Sequence, residues 1–424
     1  MKPMPQNTSK SLIVFLTLLF SVGCSASLTR FEPLINQGQY KKAADLAAPD
    51  PESTRELATS LIVQAIKNGK NISANIDILN SSAGRLGKRT LKALCRRGSS
   101  PASDHACIAR SCRRLPRKST LRSYLTSDFG DVRARAARKW ADKLDQATLI
   151  SLLGDIEPGT RRAAVQALGR GFPNDKGVAS ALQNTLRRDP VATVRSAAAK
   201  TGPALGEEAL LALKAALRDE NLGVRLAVIE GLAALGQPAA TDILRNIAFG
   251  PLDEMGVVAI AELLRQGEDA MDTRLEAATQ SPRLVIRKTA LLRLERSGTE
   301  NRRKYLEKAL EDRSQTVVLL AARLLTKIKN GKPLAQKALQ KIMNSDSLEA
   351  PSARNLLATL GDEKAAQITR KRLQTGGEAE IVSILTEAYR SSKLSAGFAP
   401  LLGHKKEIVR LAAARACLLS SRSE

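Results

Sequence analysis

Along most of this chain the apolar residues fall three and four positions apart, in short segments broken by Gly, Pro or Asp. That spacing places them on one face of a helix. "GEEALLALKAALRD" and "PAATDILRNIAFG" show it clearly, and joints fall at Gly169, Pro190, Gly236, Pro282, Gly298 and Gly361, where helices end and turns begin. The predicted elements are therefore helices that come in pairs.

The pairs repeat. In "DENLGVRLAVIEGLAALG", Asp219 to Gly236, a Val-Arg step opens an Ala-rich apolar helix, and the same Arg position recurs at Arg133, Arg161, Arg195, Arg287 and Arg410. Degenerate copies place Val257, Val318, Ala353 and Val382 there, so the position returns every 28 to 35 residues and ten units cover Ser119 to Ser420. One hairpin of two helices cannot bury its apolar face alone, so neighbours must stack. The expected fold is all-α, an α-solenoid of stacked helical hairpins. Aromatic content of 3% agrees, because strands favour Tyr, Phe and Trp.

The repeat resembles the HEAT-repeat family in its short bacterial form, found also in phycobilin lyase subunits and deoxyhypusine hydroxylase, and the resemblance implies a HEAT-like superhelix. An Asp precedes the repeat Arg by five or six residues in the pairs Asp128 and Arg133, Asp155 and Arg161, Asp189 and Arg195, and Asp219 and Arg225; Asp312 stands likewise before Val318. By residue type, such an Asp caps the helix that follows. The resemblance adds a ladder in which Asp and Arg pair between adjacent repeats. These charges are then structural, in preference to an Arg stripe that grips an anionic ligand. The fold is reused for many partners and does not itself specify a function.

The N-terminus reads as an export signal. Lys2 and Lys10 precede the apolar run Leu12 to Phe20, which is shorter than the roughly 20 residues a bilayer-spanning helix needs. Ser21-Val22-Gly23-Cys24 resembles the bacterial lipobox, which implies cleavage before Cys24 and its lipidation; ordinary cleavage after Ala26 is the alternative. Ser25 stands where an Asp would favour inner-membrane retention in the resembling lipoproteins, so the expected location is the cell envelope, at the outer membrane facing the periplasm. The domains expected are a signal peptide at 1–23, a lipid-linked spacer at 24–33, a divergent N-terminal helical cap at 34–118 and the HEAT-like solenoid at 119–424. In an oxidising compartment the clustered Cys95, Cys107 and Cys112 suggest a disulfide. Cys95 can pair with Cys107 or with Cys112, whereas Cys107 with Cys112 is a tighter closure. A zinc site with His105 is set aside, since C-x11-C-x4-C lacks the short C-x2-4-C pairs of zinc ligands. Cys417 lies in the last apolar helix as a small hydrophobe.

Catalytic motifs do not emerge. The two histidines, His105 and His404, are far apart and neither is followed by Glu, so the His-Glu pairs of deoxyhypusine hydroxylase are missing. No phosphate loop, H-E-x-x-H or G-x-S-x-G motif occurs. No enzyme activity, cofactor or metal is expected.

The remaining clue is charge. The chain carries a formal +25, and losing Lys2 and Lys10 with the signal leaves +23, which favours acidic partners. The leading expectation is a non-catalytic envelope lipoprotein that binds envelope proteins along a concave repeat surface and is held to the membrane by Cys24. The alternative is direct binding of an anionic envelope lipid or polysaccharide, with nucleic acid as partner only for an unexported chain. Tyr124, Trp140, Tyr305 and Tyr389 are the aromatic residues in the array available as interface anchors, although a helix-packing residue is the simpler account of Trp140 in "RKWADKL".

Overall fold

The computed structural model describes residues 30–420 except 83, 96–99, 111–115 and 174. The expected signal, Cys24 and most of the spacer, together with Cys112, lie outside the described residues. Among the described residues there is no strand, and no helix is long and apolar enough to cross a membrane.

Each of the ten repeat positions falls in a helix of its own: Gly130–Trp140, Pro158–Gly171, Ala192–Ala199, Leu222–Leu235, Glu254–Arg265, Leu284–Ser297, Gln315–Leu325, Ala350–Thr359, Glu378–Glu387 and Glu407–Ser420. These are the second helices of the hairpins. Local chemistry sets their ends. Pro158 occupies the first turn, where its missing N–H costs nothing. Gly236 and Gly298 end their helices in the left-handed region, with φ of 67° and 75°, as a C-terminal cap requires. In a typical hairpin the helix Lys176–Arg188 buries Val178, Ala179, Leu182 and Leu186 and packs on Ala192–Ala199.

The chain divides into two compact units. Residues Ser111–Ala365 form one, with eight of the ten second helices. Adjacent second helices approach closely there. A Cβ on Gly231 would lie 2.2 Å from the carbonyl oxygen of Ala199, so backbone meets backbone and no side chain fits.

The other unit joins residues Met1–Arg110 to Ala366–Glu424. Its last helix, Glu407–Ser420, packs along Pro51–Lys67, and the turn Ala399–Gly403 packs against Tyr40–Ala47. The faces match in character: Leu57, Leu61 and Ile62 are buried on one helix, Val409, Ala413 and Leu418 on the other. Polar contacts fix their register. Arg415 donates to Asn75 Oδ1 at 2.9 Å, Lys70 pairs with Glu407, and the Arg410 guanidinium lies 3.6 Å from the centre of the Tyr40 ring. The last repeat of the sequence thus shares a hydrophobic core with the N-terminal helices, and Glu378–Glu387 packs on it in turn.

Within this unit Cys95, at the end of Gly84–Cys95, is disulfide-bonded to Cys107 in Pro101–Arg110. Closing a loop of this length stabilises by about 3 kcal/mol in the chain-entropy view. His105 is fully buried in the same helix. Cys417 is buried, and loss of hydration pushes its thiol up to about 12.

Gly403 tests the pairing of the two segments. An added side chain would meet Lys41 Cα at 2.9 Å and the Tyr40 carbonyl at 3.1 Å, both backbone atoms. Gly403→Val is expected to destabilise this unit by about 1–3 kcal/mol and to speed amide exchange in Pro51–Lys67. Gly377→Val, whose added atoms meet open space, should stay within about 0.5 kcal/mol of the parent.

Candidate functional site

The repeat arginines are held first by their own turn. Arg161 Nη1 donates to the carbonyls of Asp155 and Ile156, at 2.8 and 3.1 Å, and Arg195, Arg225, Arg287 and Arg410 do the same to the residues six and five positions before them. Arg133 donates to Ser127. With Nη1 so engaged, Nε and Nη2 point forward to the next repeat.

There they meet an Asp as a two-pronged fork. Arg133 binds Asp155 at 2.7 and 2.8 Å, Arg161 binds Asp189 at 2.7 and 2.9 Å, and Arg195 binds Asp219 at 2.8 and 2.9 Å. Arg287 binds Asp312 at 2.7 and 3.0 Å. Each Asp also accepts the backbone N–H two residues on, as Asp155 does from Glu157 and Asp189 from Val191. The Asp thus closes the turn ahead of the helix instead of capping the helix interior. Both partners are largely shielded, with side-chain exposures of 9% and 5% for Arg161 and Asp189.

Two expected members behave differently. Among the described residues Arg225 has no forward carboxylate, because Pro251 stands six residues before Val257, at the place that Asp155, Asp189, Asp219 and Asp312 hold in their units. Asp128 opens the array and adds only a favourable field at Arg133. At the other end His404 fills the Asp position before Arg410, and its Nδ1 accepts from Lys406 N at 3.1 Å, as an Asp oxygen would.

The interval between the ladder pairs of Arg195 with Asp219 and Arg287 with Asp312 contains a second charged cluster that sequence reasoning missed. Glu230 Oε2 lies 2.9 Å from Lys200 Nζ, and its Oε1 lies 2.8 Å from Arg293 Nη1 and 3.5 Å from Arg296 Nη1. Glu262 is gripped by Arg296 Nε at 3.0 Å and Arg265 Nε at 2.8 Å. Four consecutive repeats contribute. The pair between Glu230 and Arg293 skips the repeat between them, so three second helices lean together at this level. Burial works against the charge on Glu230, but hydrogen bonds from Arg293 and Lys200 outweigh it and hold its carboxyl below the ordinary glutamate range. The signal was present in the sequence. Lys200, Glu230 and Glu262 each stand five residues after the repeat position, within or at the end of largely apolar helices.

The aromatic anchors fare unevenly. Trp140 and Tyr305 are core residues, each 1% exposed, with Tyr124 stacked on Trp140 and the Tyr305 hydroxyl donating to Asp272 at 2.5 Å. Burial and that carboxylate push the Tyr305 hydroxyl far above its usual range. Neither ring is available to a partner. A cleft lined by Ile35, Val63 and Leu94 holds only about 40 Å³, whereas a wider one of about 520 Å³ runs beside the ladder pair Arg287 and Asp312.

Stacked hairpins locked by a buried Arg and Asp ladder define a helical-repeat scaffold. The HEAT repeats family matches residues 119–201, so the chain carries HEAT repeats there. Among solved structures, it is similar to the complex of CpcE and CpcF of phycocyanin lyase from Nostoc sp. PCC7120, at 21% identity over 55% of this chain and 99% of that one, with a TM-score of 0.34. An engineered protein is similar at 19% identity over 70% of this chain and 97% of its own, with a TM-score of 0.27. No curated protein matches.

The ladder makes a contrast that denaturation can read. Arg161→Ala leaves Asp189 buried without its partner and should cost about 3–5 kcal/mol. Arg225→Ala loses only hydrogen bonds to turn carbonyls and should cost about 1 kcal/mol.

Acid should act on the same bonds. Burial opposes the charge of Asp155, but Arg133 and the Glu157 N–H hold it below its ordinary 3.8; Arg195 lowers Asp219 in the same way. A carboxylate with a depressed folded pKa contributes stability that is present above its unfolded pKa and lost as pH falls through the folded one. The thermal midpoint is expected to be level above about pH 5 and to fall below about pH 4. Asp219→Asn should start lower and fall less, as followed by circular dichroism.

Proposed function

We propose that this HEAT-repeat chain is a non-catalytic scaffold of the cell envelope, anchored through a lipidated Cys24 at the outer membrane and recruiting an envelope protein along the face lined by its second helices. The observation that carries the reading is the ladder. The repeat charges do not form a catalytic constellation; Arg133, Arg161, Arg195 and Arg287 are consumed in holding repeats together. What such a stack offers a partner is an extended surface.

Two further features support the envelope. The bond between Cys95 and Cys107 belongs to an oxidising compartment, and the residues before Cys24 carry the export pattern. Lipidation at one terminus with several chains supplies the two or more membrane signals that stable anchoring needs.

Mass spectrometry of the N-terminus, with membrane fractionation of wild type and Cys24→Ala, tests the anchor. The expected result is a diacylated or triacylated Cys24 in the membrane fraction, with processing lost in the variant. An intact Met1 in the soluble cytoplasmic fraction would overturn the envelope reading and make nucleic acid the partner to examine. Cross-linking in intact cells tests the scaffold itself, which requires a reproducible protein partner.

A further inference from the structure

We infer that the cluster of Lys200, Arg265, Arg293 and Arg296 is a docking site for an extended acidic segment of a partner protein. The inference rests on the scaffold reading and gives it a place and a chemistry.

The cluster is unevenly balanced. Four cations surround two carboxylates, so two positive charges are in excess. The carboxylates lie inside, with the Glu262 side chain 1% exposed, while Lys200, Arg265 and Arg296 are 54%, 43% and 48% exposed. Arg265 engages Glu262 through Nε, and Arg293 engages Glu230 through Nη1. Among the described residues no other hydrogen-bond partner meets these two guanidinium groups, so each keeps N–H donors for a ligand. The buried glutamates also fix where those donors stand. A ligand that meets prepositioned guanidinium groups loses less entropy on binding, and the planar fork of Arg matches a carboxylate.

The shape selects a segment over a single ion. Lys200, Arg265 and Arg296 come from three of four consecutive repeats whose helices stack about 8–10 Å apart. An extended chain advances about 3.3 Å per residue, so about three residues pass each repeat and roughly ten span the cluster. The surroundings select a polypeptide over a nucleic acid. The helices Ala192–Ala199, Leu222–Leu235, Glu254–Arg265 and Leu284–Ser297 hold no aromatic residue, and single-stranded nucleic acid binding leans on aromatic stacking. Leu292 instead continues the column of Lys200, Glu230 and Glu262 at the fifth residue after the repeat position, and it is 58% exposed. It stands one helical turn from Arg296. An exposed leucine beside prepositioned cations fits a segment in which acidic and apolar residues alternate.

The test is fluorescence anisotropy of labelled decaglutamate with the purified full chain, supported by melting curves. Wild type is expected to bind, and Lys200→Gln with Arg265→Gln to weaken binding at least tenfold while Glu262 keeps Arg296. Arg303→Gln with Lys308→Gln removes the same charge elsewhere on this unit and should change binding less than twofold. Equal losses in the two pairs would reduce the effect to diffuse charge and overturn the site. Absence of wild-type binding would overturn it as well, and tighter binding of a deoxythymidine decamer would overturn the ligand class. A decaglutamate peptide carrying interspersed leucines should bind more tightly than decaglutamate, and Leu292→Ser should abolish that gain. The scaffold reading fails separately: cross-linking that recovers no protein from wild-type cells removes it even where the peptide binds, and recovery of one partner by wild type and Lys200→Gln with Arg265→Gln alike keeps the scaffold and removes this site.

Discussion

The structure depends on one side chain doing two jobs. A repeat arginine spends Nη1 on the carbonyls of its own turn and sends Nε and Nη2 to the next repeat's aspartate. Burying an ion pair carries a desolvation cost that only good geometry repays. Here the fork is doubly bonded, the aspartate has a further partner in its own turn, and the arginine cannot swing away without abandoning its carbonyls. Each bond therefore sets the rotation of one hairpin on its neighbour. Apolar packing alone would leave that angle loosely determined, since hydrophobic burial is not directional.

Where the ladder lapses at Arg225 and Val257, another link takes over. Pro251 deprives Arg225 of its aspartate, and Val257 offers no arginine to the repeat after it. The helices across this interval, Leu222–Leu235, Glu254–Arg265 and Leu284–Ser297, are those tied by Glu230, Glu262, Arg293 and Arg296. Directional polar bonds have moved from the turn to a later position on the helix. The move changes what solvent meets. In the ladder both partners are buried, whereas in the cluster the carboxylates are buried and three of the four cations are about half exposed. At the C-terminal end a third solution appears, in which Arg410 keeps its carbonyls and lies against the Tyr40 ring. Arg410 is buried, and a desolvated cation over an aromatic face contributes about 2 kcal/mol; extensive apolar contact between Glu407–Ser420 and Pro51–Lys67 does the rest.

Helical periodicity and the Val-Arg register made the ten second helices legible, because both follow from local spacing. The gap at Arg225 was not foreseen, although a proline, Pro251, stands in the aspartate column. The packing of Glu407–Ser420 on Pro51–Lys67 was not legible, since nothing local marks which apolar face meets which. A reading that stops at 118 and resumes at 119 separates segments that share a core. Trp140 packs inside, as its place in a helix suggested, but Tyr305 was misjudged for a related reason: aromatic type suggests an anchor, whereas burial depends on neighbours such as Asp272 that lie elsewhere in the sequence. The disulfide was narrowed to the right cysteines but not to one pair. The glutamate cluster escaped because a lone Glu in an apolar helix reads as a surface residue until a cation two repeats away is placed beside it.

The net charge of +25 is best understood by asking which cations are still available. Four repeat arginines are neutralised by buried aspartates, and their positive charge is invisible to a partner at any distance beyond the turn. Many others stand singly on exposed faces, where salt screens them within about 8 Å at physiological ionic strength. Such charges steer an acidic partner toward the protein without holding it in one register. Holding requires donors whose positions are already fixed, and in this chain fixed, solvent-facing cations coincide where buried glutamates grip their guanidinium groups. The same carboxylates that replace the ladder in joining the repeats therefore also decide where a long, basic surface becomes specific.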